Sequence, residues 1–260
     1  MIKKYYNYLN LGGETMEILK YEKDVFIYTK DVDNNDIIKP HSVLEIFQDI
    51  AALHADELGC GYEECKKNNM AWILLYNKIE ILKPPAYFKD IKGMTWPKPN
   101  RRIEYNREYM MVDEFYNPII TGISNWAIIN YETRSIVRKP VEFNGEYYSY
   151  TNYPNLAKRK LGLDELNIKN SFTYIPTCDD LDHNGHVNNA RYLKIIFDFL
   201  KPNINNQYIN YIEIAYLKEA MFESIIKIGY NRINNYKYEF IGYIDEEKCF
   251  EAIIGVKNNE

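Results

Sequence analysis

Apolar residues recur with a helical period in two stretches of this chain and with strand character in most of the rest. Val43, Phe47, Ile50, Ala51, His54 and Leu58 stand three, four or seven residues apart, which predicts a helix of about 16 residues with one strongly apolar face. Ser42-Val43-Leu44-Glu45, just after Pro40, has capping-box spacing, and Gly59 can end the helix. Strands are expected at Val25–Val32, Met70–Ile81, Ile91–Trp96, Ile103–Val112 and Pro118–Asn130, with a weaker one near Ile136–Val137. Residues 140–170 lose this periodicity and read as a linker. The pattern then starts again: a short strand at Phe172–Ile175, a helix at Asn189–Leu200, and strands at Tyr208–Leu217, Ser224–Ile233, Tyr236–Ile244 and Cys249–Val256. One strand, a long helix and then several strands occur twice.

The halves can be overlaid. An offset of 146 places Asp36 on Asp182, Ile38 on Asn184, Pro40 on His186 and Ser42 on Asn188, and Ile79-Glu80-Ile81 is echoed by Ile212-Glu213-Ile214. This predicts an old duplication whose first copy lost its polar residues. Two points of coincidence are also what chance can supply.

The most polar stretch lies just before the second helix: Cys178-Asp179-Asp180-Leu181-Asp182-His183-Asn184-Gly185-His186-Val187-Asn188-Asn189. If it is extended, Asp182, Asn184 and His186 share one face, and a carboxylate, an amide and an imidazole together can hold and activate a water molecule. The helix would aim free N–H groups at the same spot. The bland alternative has equal weight on spacing alone: Asp, Asn and Gly are turn residues, and Asn188 or Asn189 can simply cap the helix.

These motifs resemble the acyl-acyl carrier protein thioesterases. Asp182-x-Asn184-x-His186-Val187-Asn188-Asn189-x-x-Tyr192 is similar to that family's signature loop. Ala71-Trp72-Ile73-Leu74 with Ile79-Glu80-Ile81, Thr95-Trp96 with Asn100-Arg101-Arg102, Ser124-Asn125-Trp126 with Thr133-Arg134, and Tyr216-Leu217-Lys218-Glu219 resemble further segments, so the likeness runs from about residue 20 to 255. It implies an α+β fold of two tandem hotdog domains, each an antiparallel sheet wrapped around a long central helix. The expected layout is an N-terminal extension at 1–15, disordered or preceding a true start at Met16, an acyl-chain-binding hotdog at 16–140, a linker at 141–170 and a catalytic hotdog at 171–260. The resemblance carries the catalytic set onto Asp182, Asn184, His186 and Glu219. It implies hydrolysis of fatty acyl-acyl carrier protein, with a phosphopantetheine thioester as the scissile group and the carrier protein as partner. Many plant members carry a Cys directly after the Glu; here Ala220 stands there, so water attack without an acyl-Cys intermediate is expected. Acyl-coenzyme A hydrolysis and a non-catalytic acyl-binding role are the alternatives.

Composition adjusts this picture little. Of the 260 residues, 46% are hydrophobic and 25 are Tyr, which favours sheets. The net charge of -5 argues against an extended nucleic-acid surface. Cys60, Cys65, Cys178 and Cys249 form no Cys-x-x-Cys pair, so reduced thiols in the cytoplasm, and neither metal nor cofactor, are expected. No apolar run reaches the ~18–20 residues of a membrane span. Taken alone, Glu219 reads as a solvated strand residue paired with Lys218 or another cation. An acidic carrier protein would dock on basic residues, with Arg101, Arg102, Arg107, Arg134, Arg138, Lys139 and Lys158–Lys160 as candidates. Two hotdogs in one chain can serve as a monomer or pair further as a homodimer.

Overall fold

The computed structural model describes residues 7–9, 15–85, 90–100, 102–138, 141–165, 168–204 and 206–259. Thirteen strands and three α-helices alternate along these residues. Strands β1 (Asn7–Leu9), β2 (Thr15–Leu19) and β8 (Glu146–Tyr147) make a small sheet. The N-terminal extension expected at 1–15 is thus described only at its strand residues, and its other positions lie outside the described residues.

The remaining strands form one ten-stranded sheet. The first half contributes β3 (Tyr21–Phe26), β4 (Met70–Ile81), β5 (Asp90–Pro97), β6 (Tyr105–Val112) and β7 (Pro118–Asn130). The second contributes β9 (Asn170–Tyr174), β10 (Gln207–Tyr216), β11 (Ile226–Asn234), β12 (Lys237–Ile244) and β13 (Glu247–Asn258). Their order is β3-β5-β6-β7-β4-β10-β13-β12-β11-β9, with antiparallel neighbours throughout. The halves meet where β4 pairs with β10. There Ile79 faces Ile212 and Glu80 faces Tyr211, so the echoed Ile-Glu-Ile triplets lie astride the join.

Each half wraps one long helix: α1 (Pro40–Glu57) and α3 (Asn189–Leu200), which touch each other. A short α2 (Tyr62–Lys67) follows α1. The predicted capping box does not open α1. Lys39 is the N-cap and Pro40 the first helical residue, where its fixed φ and missing N–H cost nothing; Ser42 lies inside the helix, buried. The strand expected at Val25–Val32 ends at Phe26, and a 3-10 turn at Thr29–Asp31 replaces its second part. Ile136 makes one isolated bridge to Ile129 rather than a strand.

Val43, Phe47, Ile50 and Ala51 are buried as their spacing requires. The Phe47 ring stacks on Tyr109, centroids 4.5 Å apart. Gly122 makes this possible: a Cβ there would stand 2.5 Å from Phe47 Cε2 and 3.0 Å from the Lys78 carbonyl. Gly122→Ala should therefore destabilise the protein by about 1–3 kcal/mol, read by denaturant unfolding.

His41 is buried on α1 against Phe197. Burial, then the Lys39 charge, pushes its pKa down to about 4. An unfolded histidine titrates near ~6.5, so on acidification between these values the unfolded chain takes up a proton the fold does not. Stability should fall with pH across that window, and His41→Gln should flatten the fall in a thermal-unfolding series.

Residues 151–163 cross the outer face of the sheet and are pinned to it. Asn152 N donates to Glu108 Oε2 at 2.7 Å, Ala157 N to Asn106 Oδ1 at 2.7 Å, Lys158 Nζ to Glu213 Oε2 at 3.0 Å, and Leu161 N and Gly162 N to Glu251 Oε2 at 2.9 and 2.8 Å. Three carboxylates that sit mid-strand and buried thus find partners in the linker, which leaves the concave, helix-filled side for the functional pocket.

Candidate active site

The polar stretch is a tight loop, not an extended segment. Leu181 and Val187 bridge across it, Asp182 N donates to the His186 carbonyl at 2.7 Å, and Gly185 turns it at φ 80°. The Asp182 carboxylate points into the turn. Its Oδ1 accepts the amides of Asn184 at 2.8 Å and His186 at 3.2 Å. Asp182 therefore sets the backbone that carries the other two; among the described residues it bonds to no ring nitrogen of His186. Alternation along an extended strand is not what gathers this site.

Asp180, which the sequence reading passed over, braces the loop from behind. Its Oδ2 accepts Thr177 N, Thr177 Oγ1 and Tyr174 Oη at 2.7–2.9 Å, and its carbonyl accepts Asn188 N. Burial raises its pKa, but these hydrogen bonds outweigh burial and hold the carboxyl below its ordinary value. The signal was present as Thr177-x-x-Asp180, a capping-box spacing around the 3-10 turn at Cys178–Asp180.

The first half contains the same loop. Asp33 Oδ1 accepts Asn35 N at 2.8 Å and Ile37 N at 3.2 Å, Asp33 N donates to the Ile37 carbonyl, Val32 bridges Ile38, and Asp31 Oδ2 accepts Tyr28 N. The true offset is 149, which places Asp33 on Asp182, Asn35 on Asn184, Ile37 on His186 and Lys39 on Asn188. The overlay at 146 is corrected by the hydrogen bonds. The first copy kept its structural Asp and lost its imidazole to Ile37.

Val187 N donates to the Ala220 carbonyl, and His186 bridges Met221. This holds the loop against the segment after β10 that carries Glu219. His186 Nε2 lies 3.6 Å from Glu219 Oε2, beyond hydrogen-bond length yet close enough for charge to act. The same Oε2 takes the guanidinium of Arg134, from the turn after β7 in the first half. Lys218 pairs with Glu247 instead. The bland reading of Glu219 holds in this form: the carboxylate is half-exposed and paired with a cation, Arg134, while His186 also stands beside it. Asn188 is the N-cap of α3, its side chain accepting from Ala190 N at 2.9 Å, so that reading holds beside the catalytic one.

Asp182, Asn184, His186 and Glu219 all line one pocket of ≈ 800 Å³. The second half adds Tyr192 of α3 and Tyr216 of β10, and the first half supplies Ala51 and Ala55 of α1, Trp72 and Leu74 of β4, and Tyr105 and Arg107 of β6. Cys60 and Cys65 also line it, but burial pushes the Cys60 thiol up to about 11 and raises Cys65 as well, so neither is a ready thiolate.

The basic residues once expected on a docking face are dispersed. Arg107 is buried, Arg134 is engaged by Glu219, Lys158 by Glu213 and Arg159 by Glu104. Arg102, Arg138 and Lys160 are exposed. Arg101 and Lys139 lie outside the described residues. No helix among the described residues is long and apolar enough to cross a membrane.

A continuous antiparallel sheet wrapped around two central helices, with a polar loop repeated in each half, defines a tandem-hotdog protein. The acyl-ACP thioesterase N-terminal domain matches residues 18–147, and the acyl-ACP thioesterase C-terminal domain matches residues 164–252. The chain belongs to the acyl-ACP thioesterase family. It is 23% identical over 237 residues to oleoyl-acyl carrier protein thioesterase 1 of Arabidopsis thaliana, covering 84% of this chain and 65% of that one. It is 23% identical over 233 residues to a palmitoyl-acyl carrier protein thioesterase of Cuphea hookeriana, covering 84% and 56%. The chain thus spans somewhat under two thirds of these relatives. Its fold matches the crystal structure of an acyl-ACP thioesterase from Bacteroides thetaiotaomicron with a TM-score of 0.81 at 20% identity, covering 92% of this chain and 98% of that one. It also matches the 12:0-ACP thioesterase of Umbellularia californica, with a TM-score of 0.77 at 15% identity and coverage of 92% and 98%.

Proposed function

We propose that this protein hydrolyses the thioester of fatty acyl-acyl carrier protein and releases the free fatty acid. The observation that carries the reading is the single pocket in which the polar loop and Glu219 meet a long wall of apolar side chains from the first half. In this reading the second half supplies the chemistry and the first half holds the acyl chain.

Glu219 Oε2 is taken up by Arg134 and His186, while no partner stands against Oε1 among the described residues. Oε1 is the atom that accepts the proton of the attacking water, with His186 holding that water beside it. The water oxygen bonds to the thioester carbon, and the carbonyl oxygen takes the charge. Asn184 and the Asn189 amide at the start of α3 are the donors for that oxyanion; the Ala190 amide is already used by its cap. The C–S bond then breaks and the phosphopantetheine thiolate leaves, taking up the proton. Ala220, next to Glu219, is fully buried and offers no nucleophile, so no acyl-enzyme forms. Asn184→Ala should lower kcat by about 10²–10³, the usual cost of one oxyanion donor, measured as free thiol released. Reduced thiols in Cys60, Cys65 and Cys249 suit a cytoplasmic location.

The test is direct. Purified protein is given palmitoyl- and oleoyl-acyl carrier protein and the matching coenzyme A thioesters, and free acid is measured. Faster release from the carrier-protein substrates supports the proposal. Equal or faster cleavage of coenzyme A thioesters would replace the substrate, and acyl binding without any release would replace the activity.

A further inference from the structure

Among the described residues, one buried cation that lines the pocket has no acid against it. Arg107, on β6, is 8% exposed and lines the cavity. Its two hydrogen bonds among the described residues both leave from Nη1: to His54 Nδ1 at 2.9 Å and to Thr95 Oγ1 at 3.2 Å. Both partners are neutral acceptors. Burial, then the Arg107 charge, pushes His54 down to about 2, so its ring is neutral, and because a guanidinium can only donate, Nδ1 is the acceptor and the proton sits on Nε2. Thr95 Oγ1 donates to the Glu108 carbonyl and has lone pairs left to accept. The neighbouring Glu108 carboxylate is used on the other face of the sheet, by Lys98, Thr151 and Asn152. A guanidinium has five N–H donors in a planar fork that fits a carboxylate. Buried charge without a counter-charge is costly, and such a group on a ligand-pocket wall is suited to pairing with the ligand. A cross-link from α1 to β5 explains the two bonds to Nη1, but leaves the other N–H donors of this pocket-lining residue without a partner among the described residues.

We infer that Arg107 recognises acyl chains that carry an oxygen acceptor remote from the thioester, a carboxylate more strongly than a hydroxyl. This rests on the thioesterase reading above and names the substrate class it favours. A purely hydrocarbon chain would leave the guanidinium unmatched, whereas a distal carboxylate would meet it in a low-dielectric wall, where charge-assisted hydrogen bonds are strongest.

The test uses acyl-pantetheine thioesters in a graded series of chain lengths, each ending in methyl, hydroxyl or carboxylate. At the lengths that reach Arg107, wild-type protein should cleave the carboxylated chain with a kcat/KM about 10-fold or more above the methyl-ended chain, with the hydroxyl between; this corresponds to one hydrogen bond to a charged group. Arg107→Met should remove or reverse that ratio. A cross-linking role alone would lower all three substrates together and leave the ratio unchanged. Methyl-ended chains preferred by wild-type protein at every length would overturn the inference while leaving thioester hydrolysis intact. Calorimetric titration of wild-type protein with amide-linked analogues of the same series separates the remaining case. Tighter binding of the carboxylated analogue with no thioester cleaved would sink the enzymatic reading and keep the site. Equal binding of all three would sink the site.

Discussion

Glu219→Gln should lower kcat/KM for thioester hydrolysis by about 10³, within the 10²–10⁴ range that a positioned base supplies. The carboxamide keeps the size of the side chain and can still accept from Arg134, but it cannot take a proton from water. Glu219 lies in a half-exposed segment after β10 and touches the rest of the protein through Arg134 and His186. Its loss should therefore leave thermal unfolding nearly unchanged, which separates a chemical effect from a structural one. A change in rate below about tenfold would move the base to His186, and Glu219 would then only orient it.

Asp182 should behave differently, because its carboxylate acts on the backbone. Asp182→Ala removes the acceptor that fixes the amides of Asn184 and His186. Both side chains would drift, and a misplacement of about 1 Å can cost 10² in rate. Asp182→Asn keeps an oxygen at the same position and should retain activity within about tenfold of wild type. If Asn were as damaging as Ala, the negative charge itself would be required and the structural role assigned here would be wrong. The duplicate supplies a control. Asp33 makes the same two bonds in the first half and also pairs with Lys201, but Ile37 stands where the imidazole would be. Asp33→Ala should cost stability, about 1–2 kcal/mol, with a smaller effect on turnover than Asp182→Ala.

The comparison of these two loops shows what the sequence can and cannot reveal. The second helix was legible to the residue, Asn189–Leu200, because an Asn cap precedes a clean apolar period and Pro202 follows. Asp182, Asn184 and His186 stand out as candidates because the loop motif is dense, whereas Glu219 enters the candidate set only through the resemblance of Tyr216-Leu217-Lys218-Glu219. The register of the duplication was not. Asp33-Asn34-Asn35-Asp36 offers more than one polar residue to align, and only backbone hydrogen bonds single out Asp33. Two further failures share a cause. Glu108, Glu213 and Glu251 interrupt strands that should be apolar, and their reason is a linker 44, 55 and 90 residues away in sequence. Arg134, a docking candidate in the sequence, is instead the first half's contact with Glu219. Partners brought together by tertiary structure leave no local period to read.

In the proposed function, chemistry and acyl binding share one pocket built by both halves. A crystal structure with an amide-linked acyl-pantetheine should show the amide carbonyl beside His186, Asn184 and Glu219, with the chain running along α1 and β4 toward Arg107. An acyl chain seated elsewhere, or a carbonyl out of reach of the His186–Glu219 pair, would contradict that proposal.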